Sequence, residues 1–479
     1  MSIVAGAIFV GLLLLAMPVA HALLIASGAA MINEEPLFLF EAILNLYKPT
    51  SQFPMLAIPF FILAGDLMMS GRFGEYLVTF AKILVGGLRG GLAQVSVVGS
   101  LFFGGFSGSA VADASALGNA LIPVQKKQGY PEGYSAAVNA ASSTISVLIP
   151  PSIPLILYGL VTEASIPKLF LAGIVPGIML TVLMFVICHA IGTIKNLPRS
   201  PAEEKNRIKL PDFFDLRDLA IIIAATGALI ALAVLGMLSV LMAVMLGILI
   251  ALIHTTLVSK RFSFRNIPSD LIKAIPALLM PLFVIFLARG GIVTPTEISV
   301  FAVVYALMIG AFVYRDLSFE LILRCIVTTG IMTGVIMLVI MGSSVLQYIL
   351  SFESVPENLA SWLLATLESP WTIILAMNIL MIIIGTFLDL PAAVLLLAPI
   401  FIGVAPQVGL DPIQLGVMMV VNLAIGLYTP PVGTTLFVSV AIERVPMGRV
   451  VGQLLPFYIA ALVVLALVSF APAITRVFL

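Results

Sequence analysis

The stretches NAASSTISVLIPP (139–151) and VVNLAIGLYTPPVGTT (420–435) decide the fold of this chain, because each carries two consecutive prolines within an apolar segment. A Pro-Pro pair inside a membrane helix removes two amide donors and leaves carbonyl groups without helical partners. Lipid cannot satisfy those carbonyls, so they must face protein, water or a cation. The sequence therefore predicts two broken helices, over 132–160 and 412–440.

The composition around these breaks is that of an all-α polytopic membrane protein. Of the 479 residues, 61% are hydrophobic and 10% are charged, whereas soluble domains carry roughly 25% charged residues. Lys and Arg (23) balance Asp and Glu (23), which removes the electrostatic basis for a nucleic-acid partner. Cys188, Cys325 and three scattered histidines exclude a disulfide scaffold and a metal-ligating cluster, and they argue against an intramembrane enzyme.

About eleven crossings are predicted from apolar runs long enough for a hydrocarbon core of roughly 30 Å. Besides the two broken helices, the predicted spans are 3–28, 54–70, 167–193, 218–257 (as two helices), 274–290, 294–314, 325–350 and 450–474. Clusters of Lys and Arg place 195–217 and 258–273 in the cytoplasm, while 351–370 carries three glutamates without a basic residue and is expected to be periplasmic. This assignment puts the N-terminus on the cytoplasmic side.

An internal repeat relates the two halves of the chain. An offset of 280 residues aligns 105–176 with 385–456 without a gap. The matched pairs include Gly105/Gly385, Gly129/Gly409, Pro150/Pro430, Pro151/Pro431, Glu163/Glu443 and Pro176/Pro456. Lys126 and Lys127 occupy a loop whose partner, 404–411, has no basic residue, so the charge changes sides between the copies. Inverted repeats with interrupted helices are typical of secondary transporters, and a passive channel is the open alternative.

Two further apolar stretches, 91–124 and 369–403, are each interrupted in the middle and are predicted to form re-entrant hairpins. The first turns at GGFSGS (104–109) and the second at GTFLD (385–389). Glycine permits the sharp turn. Each hairpin tip and its broken helix are predicted to hold one Na⁺, because unwound backbone carbonyls and uncharged hydroxyls suit that ion.

The candidate site residues form four groups. The first Na⁺ site is predicted at Gly104, Ser107, Ser146, Ile149 and Pro150, and the second at Gly385, Thr386, Gly426, Thr429 and Pro430. The substrate-binding candidates are Ser109, Asn139, Ser142, Ser143, Asn422, Thr434 and Thr435. Asp113 and Asp389 are expected to support the hairpin tips or to lie beside an ion. Asp66 and Glu297, at span ends, are interpreted as caps or scaffold contacts.

Alternatives for these polar residues stay open. Ser and Thr in membrane helices also bond to their own backbone carbonyls, and the two asparagines can join neighbouring helices instead of touching substrate.

Several long motifs resemble the large membrane subunit of tripartite ATP-independent periplasmic (TRAP) transporters. They include FPMLAIPFFILAGDLM (53–68), TPTE (294–297), GTFLDLPAA (385–393) and NLAIGLYTPPVGTTLFV (422–438). The resemblance implies an elevator-type fold of the ion-transporter superfamily and Na⁺-coupled uptake of small organic acids, with no organic cofactor. It also implies a bacterial inner-membrane location, a small four-helix membrane subunit and a periplasmic substrate-binding protein. The sequence departs from the family pattern at the extra hairpin 218–257, at Ser146 (commonly Gly) and at Leu390 (usually Pro).

The predicted organisation follows the repeat. In chain order, the units are 1–90 (scaffold helices with an arm at 73–89), 91–160 (first hairpin and broken helix), 161–217 (scaffold helix and cytoplasmic loop), 218–257 (insertion), 258–368 (scaffold helices with an arm at 356–367), 369–440 (second hairpin and broken helix) and 441–479 (C-terminal scaffold helix). The runner-up function is a stand-alone Na⁺- or H⁺-coupled organic-anion carrier. Dicarboxylates, keto acids, sialic and other sugar acids, and taurine all remain candidate substrates.

Overall fold

The computed structural model describes residues 1–15, 17–32, 36–199, 269–290, 293–367 and 369–479. The predicted insertion at 218–257 lies outside the described residues. Regular structure in the described ranges is entirely helical. Seven helical segments there are long and apolar enough to span a membrane, as expected for a polytopic protein: Phe53–Ser70, Ile166–Ile194, Lys273–Gly290, Pro295–Tyr314, Phe319–Phe352, Leu390–Val408 and Met447–Phe470.

The described helices are numbered along the chain. The first ten are α1 (Ser2–Leu14), α2 (Val19–Ala30), α3 (Pro36–Tyr47), α4 (Ala57–Ser70), α5 (Arg72–Val85), α6 (Gly91–Ser107), α7 (Ala110–Lys127), α8 (Tyr134–Ser142), α9 (Ile153–Thr162) and α10 (Ile166–Ile194). The others are α11 (Ser269–Gly290), α12 (Pro295–Met308), α13 (Phe319–Phe352), α14 (Val355–Thr366), α15 (Pro370–Gly385), α16 (Leu390–Val404), α17 (Pro412–Gly426), α18 (Thr434–Glu443), α19 (Met447–Phe470) and α20 (Ala473–Arg476).

The N-terminal segment 3–28 was predicted as one crossing and instead forms two short helices, α1 and α2. The amide of Ser2, at the start of α1, donates to Glu353 Oε2 at 2.8 Å, and Met31, after the end of α2, packs with Ile349. The start of α1 and the end of α2 therefore lie at the same end of α13. The single-span prediction is wrong because Pro18 has no amide hydrogen and begins a new helix. Residue 2 also lies beside 351–370, contrary to the expectation that these two segments occupy opposite sides.

Each of the two stretches predicted as a re-entrant hairpin folds as a pair of helices joined by a turn. Helices α6 and α7 turn at Gly108, whose φ of 54° lies in the left-handed region, and Gln125 Nε2 donates to Leu92 O at 2.9 Å where the two helices come together again. Helices α15 and α16 turn at 386–389.

Both broken helices are interrupted at the double prolines. In the first, α8 passes into a 3₁₀ turn at Ser143–Val147 and the chain resumes as α9. In the second, α17 ends at Gly426 and α18 begins at Thr434. The Pro150–Pro151 and Pro430–Pro431 bonds are both cis.

The two broken helices lie antiparallel to each other. The carboxylate of Glu443, at the end of the second, accepts from the amide of Ala136 at the start of the first. At the other end, Tyr158 Oη in α9 donates to Pro412 O at 2.7 Å. Two oppositely oriented copies would pack in this way. We call helices α6–α9 and α15–α18 the central body and the other described helices the frame.

Small residues bring the frame close to the hairpin tips. A Cβ atom on Gly65 in α4 would lie 2.9 Å from Phe106 O, and one on Gly105 would overlap the ring of Pro281 in α11. Gln347 Nε2 in α13 donates to Leu395 O in α16 at 2.6 Å. The frame therefore touches both hairpins, and its helix α19 also bonds to the central body, where Asn378 Nδ2 donates to Ser469 Oγ at 3.1 Å and Gln414 Nε2 donates to Val468 O at 2.9 Å.

Some frame elements differ from expectation. Helix α3 was not predicted, because it is short and carries Glu41 within its apolar sequence. Helix α13 extends beyond the predicted span 325–350 at both ends. The two predicted arms correspond to α5 and α14.

Candidate ion and substrate site

The tip of the second hairpin closes over the break in the second broken helix. A Cβ on Gly426 would overlap the carbonyl of Gly385, and the amide of Val432 donates to Thr386 O at 3.3 Å. A cavity of about 10 Å³ lies between them, which is the space one water molecule or small ion needs. Gly385, Thr386 and Gly426, predicted for the second Na⁺ site, all line it.

Two oxygen-bearing side chains also line this cavity. Thr434 Oγ1 is buried and has no hydrogen-bond partner among the described residues. Asp389 is the N-cap residue of α16. The sequence analysis grouped Thr434 with the substrate candidates, but the structure places it with Asp389 around the ion-sized cavity. A hydroxyl and a carboxylate are the oxygen ligands that hard cations take.

Other residues of the second break bond to the main chain. Thr429 Oγ1 donates to Ile425 O at 2.6 Å, and Thr435 Oγ1 lies 2.9 Å from Leu427 O and 3.1 Å from Ala140 O. Thr429 and Pro430 lie in the break but outside the residues that line the cavity.

The tip of the first hairpin packs on the first break in a related way. A Cβ on Gly104 would lie 2.7 Å from Ser146 Cα and 3.2 Å from Ile149 Cβ. Pro150 is buried in the same break. Ser107 lies at the hairpin tip, where its hydroxyl donates to Ser109 O at 3.4 Å. The structure therefore brings Gly104, Ser146 and Ile149 together.

The hydroxyl groups at the first break serve the helix itself. Ser143 Oγ donates to Ala140 O at 2.9 Å and Ser146 Oγ to Ser143 O at 2.6 Å, which is a common structural role for serine in membrane helices. Ser142 Oγ donates to Asn139 O at 3.5 Å, and it also accepts from Ser100 Oγ at 3.2 Å, which links the hairpin to the broken helix.

A larger cavity of about 380 Å³ separates the first hairpin tip from the frame. Ser107, Ser109 and Asn119 line it from the central body, and Asp66 and Thr328 line it from α4 and α13. Its volume falls within the range of small-molecule sites. Of the substrate-binding candidates, Ser109 lines this cavity.

The two carboxylates assigned to span ends differ in the structure. Glu297 is a cap, because its carboxylate accepts from the amide of Thr294 at 2.6 Å in a capping box. Asp66 lies inside α4 and borders the larger cavity. The sequence offered no signal for this position, since it depends on how α4 packs against the hairpin.

Both candidate asparagines join helices. Asn139 Nδ2 donates to Ala114 O and to Ser439 Oγ, each at 2.8 Å. Asn422 Nδ2 donates to Asn378 Oδ1 at 2.8 Å. These bonds are the helix–helix alternative that the sequence left open, and neither asparagine lines the larger cavity.

Asp113 is fully buried in α7. Neither of its carboxylate oxygens has a hydrogen-bond partner among the described residues. The repeat offset pairs it with Ala393, so the second copy has no equivalent carboxylate. A buried carboxylate takes up a proton unless a cation or hydrogen-bond donors compensate its charge.

Glu443 is a structural carboxylate that the sequence analysis did not assign to any site. It is buried, and its two oxygens accept from the amides of Gly133 at 2.8 Å and Ala136 at 2.7 Å. Lys126 Nζ also donates to its main-chain oxygen at 3.2 Å. In the sequence, Glu443 stands out only through its match with Glu163 in the internal repeat. That match does not indicate which backbone amides the carboxylate binds.

With this geometry established, comparison with known proteins is informative. The family model described as "Tripartite ATP-independent periplasmic transporter, DctM component" matches residues 7–275 and 219–474. The chain belongs to this family. The resemblance to TRAP large membrane subunits is thereby confirmed, and the chain is a transporter permease and not an enzyme.

Curated relatives of this DctM-family chain span nearly its whole length. The uncharacterized protein y4mL of Sinorhizobium fredii is 42% identical over 99% of this chain and 100% of its own. The C4-dicarboxylate TRAP transporter large permease protein DctM of Pseudomonas aeruginosa is 32% identical over 90% of this chain and 87% of its own. The sialic acid TRAP transporter large permease protein SiaM of Vibrio cholerae is 32% identical over 98% of this chain and 97% of its own.

A solved structure shares the fold at low sequence identity. The Alcanivorax borkumensis YdaH transporter aligns with a TM-score of 0.55 over 97% of this chain and 98% of its own, at 16% identity. This similarity concerns the fold of the DctM-family chain alone.

Proposed function

We propose that this chain is the membrane permease of a Na⁺-coupled TRAP system in a bacterial inner membrane that imports small organic acids. A periplasmic binding protein would deliver the substrate, and a small four-helix membrane subunit would complete the complex. The names of the relatives, C4-dicarboxylate and sialic acid permeases, support carboxylates as the substrate class.

The observation that carries the Na⁺ assignment is the ion-sized cavity between the second hairpin tip and the second break. Gly385, Thr386 and Gly426 line it together with Asp389 and with Thr434, whose hydroxyl has no hydrogen-bond partner among the described residues. Neutral carbonyl and hydroxyl oxygens suit a monovalent cation. The first hairpin packs on the first break in a similar way, which supports a second Na⁺ site there.

The contacts within the central body support an elevator mechanism. Glu443, Asn139 and Thr435 each bond across the two copies, so the hairpins and broken helices can move as one unit. The frame meets the first hairpin tip at Gly65, at the Gly105–Pro281 pair and at the edge-to-face rings of Phe73 and Phe106, so small and apolar groups form this contact. Substrate in the larger cavity, between Ser109 and the frame, would then move with the hairpin.

The decisive experiment is uptake into proteoliposomes that contain this chain and its small subunit, with the binding protein outside. We expect an organic acid to accumulate against its gradient only when Na⁺ is higher outside and the binding protein is present. Equal uptake without Na⁺ would contradict the coupling. Na⁺-driven uptake without the binding protein would favour the stand-alone carrier, and uptake that never exceeds equilibrium would favour a channel.

A further inference from the structure

A cavity of about 750 Å³ lies between α1 in the frame and the second hairpin. Phe9 and Leu13 form part of one wall, and Leu380 and Phe387 belong to the opposite wall. Among the described residues that line it, Ser2 alone has a polar side chain. No residue proposed above for ion or substrate binding belongs to this lining.

This lining determines what the cavity can hold. A buried water needs two to four polar partners, which these walls do not offer. Apolar walls that stay unfilled or wetted cost free energy in proportion to their area, and an organic acid would find no group to bind its charge. The occupant must therefore be apolar.

The surrounding bilayer is the available source of apolar material. Val10 and Leu14 line the cavity and are 53% and 76% exposed, so the cavity opens onto an apolar face of α1 that the described residues leave uncovered. A further membrane-spanning helix, about 10 Å wide and 30 Å long, would need roughly 2,400 Å³, which is more than this cavity offers. A flexible hydrocarbon chain meets no such limit.

We propose that a glycerophospholipid inserts an acyl chain into this cavity, between α1 and the second hairpin. The chain would pack against Phe387 and Leu388, which follow Thr386 at the hairpin tip, and against Val432, whose amide bonds to Thr386 O. The lipid thus seals the outer side of the tip whose inner side borders the ion-sized cavity.

A pair of glycines on α1 provides the test. Gly6 lines the cavity, whereas Gly11 does not, and a Cβ at either position meets nothing within 4 Å. Gly6→Phe should fill the cavity without overlap, and Gly11→Phe adds the same side chain outside it. The full-length chain in its membrane complex is purified in mild detergent, and the bound phospholipid is counted by native mass spectrometry. We expect Gly6→Phe to retain one phospholipid fewer per chain than Gly11→Phe and wild type, and equal counts would overturn the proposal.

A second measurement keeps the proposal testable if Gly6→Phe does not fold. In a background with Trp362 and Trp371 replaced by Phe, a tryptophan is introduced by Leu13→Trp in the cavity or, as control, by Phe312→Trp, where the native side chain is 74% exposed. Brominated phosphatidylcholine vesicles should quench both. After extraction into detergent, quenching should persist for Leu13→Trp and vanish for Phe312→Trp. Loss of quenching at both positions after extraction would overturn the proposal. Absence of quenching for Leu13→Trp in vesicles would also overturn it, because it would show that protein fills the cavity.

Discussion

At the scale of single residues, the most informative group is the buried carboxylate of Glu443. It caps the first broken helix from the end of the second, so one side chain joins the two copies. Its repeat counterpart Glu163 is exposed. The repeat is therefore symmetric in sequence at this position but not in the use of the side chain.

Glu443→Gln should destabilise the protein. The amide nitrogen of glutamine would face one of the two buried backbone donors, and leaving such a donor unpaired costs about 1–3 kcal/mol. We expect a lower unfolding temperature for the purified protein, measured by intrinsic fluorescence. Glu163→Gln is the matched control and should unfold as wild type does. Equal unfolding temperatures for the two variants would show that the cap does not hold the copies together.

Thr434→Val tests the proposed cation ligand. The substitution keeps the side-chain shape and removes the unpartnered hydroxyl, which should raise the half-saturating Na⁺ concentration for uptake about fivefold, for a ligand worth about 1 kcal/mol. Thr434→Ser should restore the affinity. Thr193→Val is the control, because its native hydroxyl bonds to His189 O beside the start of α6, at the opposite end of that helix from the hairpin tip. An unchanged Na⁺ dependence in Thr434→Val would remove this residue from the site.

At the scale of elements, the hairpin tips depend on close backbone approach. Gly108 combines a φ of 54° with a contact that leaves no room for a Cβ beside Pro151 O. Gly129 has a φ of 82° but open space around it. Substitution of Gly129 therefore tests the free-energy cost of the left-handed backbone alone, whereas substitution of Gly108 adds the cost of steric overlap.

Gly108→Ala should cost about 1–3 kcal/mol more stability than Gly129→Ala, because overpacking adds to the shared cost of a left-handed conformation. The unfolding midpoints of the two purified variants give the comparison. Na⁺-dependent uptake should fall only in Gly108→Ala, since the displaced tip no longer packs on the first break. Similar losses in both variants would mean that the contact with Pro151 does not position the tip.

Element prediction succeeded where local chemistry decides the structure. The hairpins at 91–124 and 369–403 and both breaks are present, because proline removes amide donors and glycine permits tight turns. It failed at 3–28, where apolar composition suggested one span although Pro18 divides it. Helix α3 was missed because burial against α13 and not its own composition stabilises it, as the packing of Phe38 on Tyr348 and Phe352 shows.

At the scale of the whole molecule, the proposed mechanism concerns the cavity of about 380 Å³ between the first hairpin tip and the frame. This cavity must open alternately to the two sides of the membrane. Ser109, on the moving hairpin, faces Asp66 and Thr328 of the frame across that cavity. Movement of the central body would change the side from which Ser109 is reached.

Ser109→Cys, in a background with Cys188 and Cys325 replaced by alanine, should react with a membrane-impermeant thiol reagent from either side of the membrane. Right-side-out and inside-out vesicles provide the measurement. Thr193→Cys, on the exposed end of α10, should react from one side only. Reaction of Ser109→Cys from a single side, whatever the Na⁺ or substrate concentration, would contradict alternating access.

The sequence by itself determined the membrane class, the family and the positions of the hairpins and breaks, because hydropathy, proline and glycine act through neighbouring residues. Only the tertiary structure decided which distant groups meet: Thr434 with Asp389, Asp66 with the first hairpin tip, and Glu443 with the amides of the other copy. Those contacts arise from the packing of two oppositely directed copies. This packing brings together residues that lie 300 positions apart in the chain, such as Asn139 and Ser439. A pattern of neighbouring residues cannot indicate such contacts.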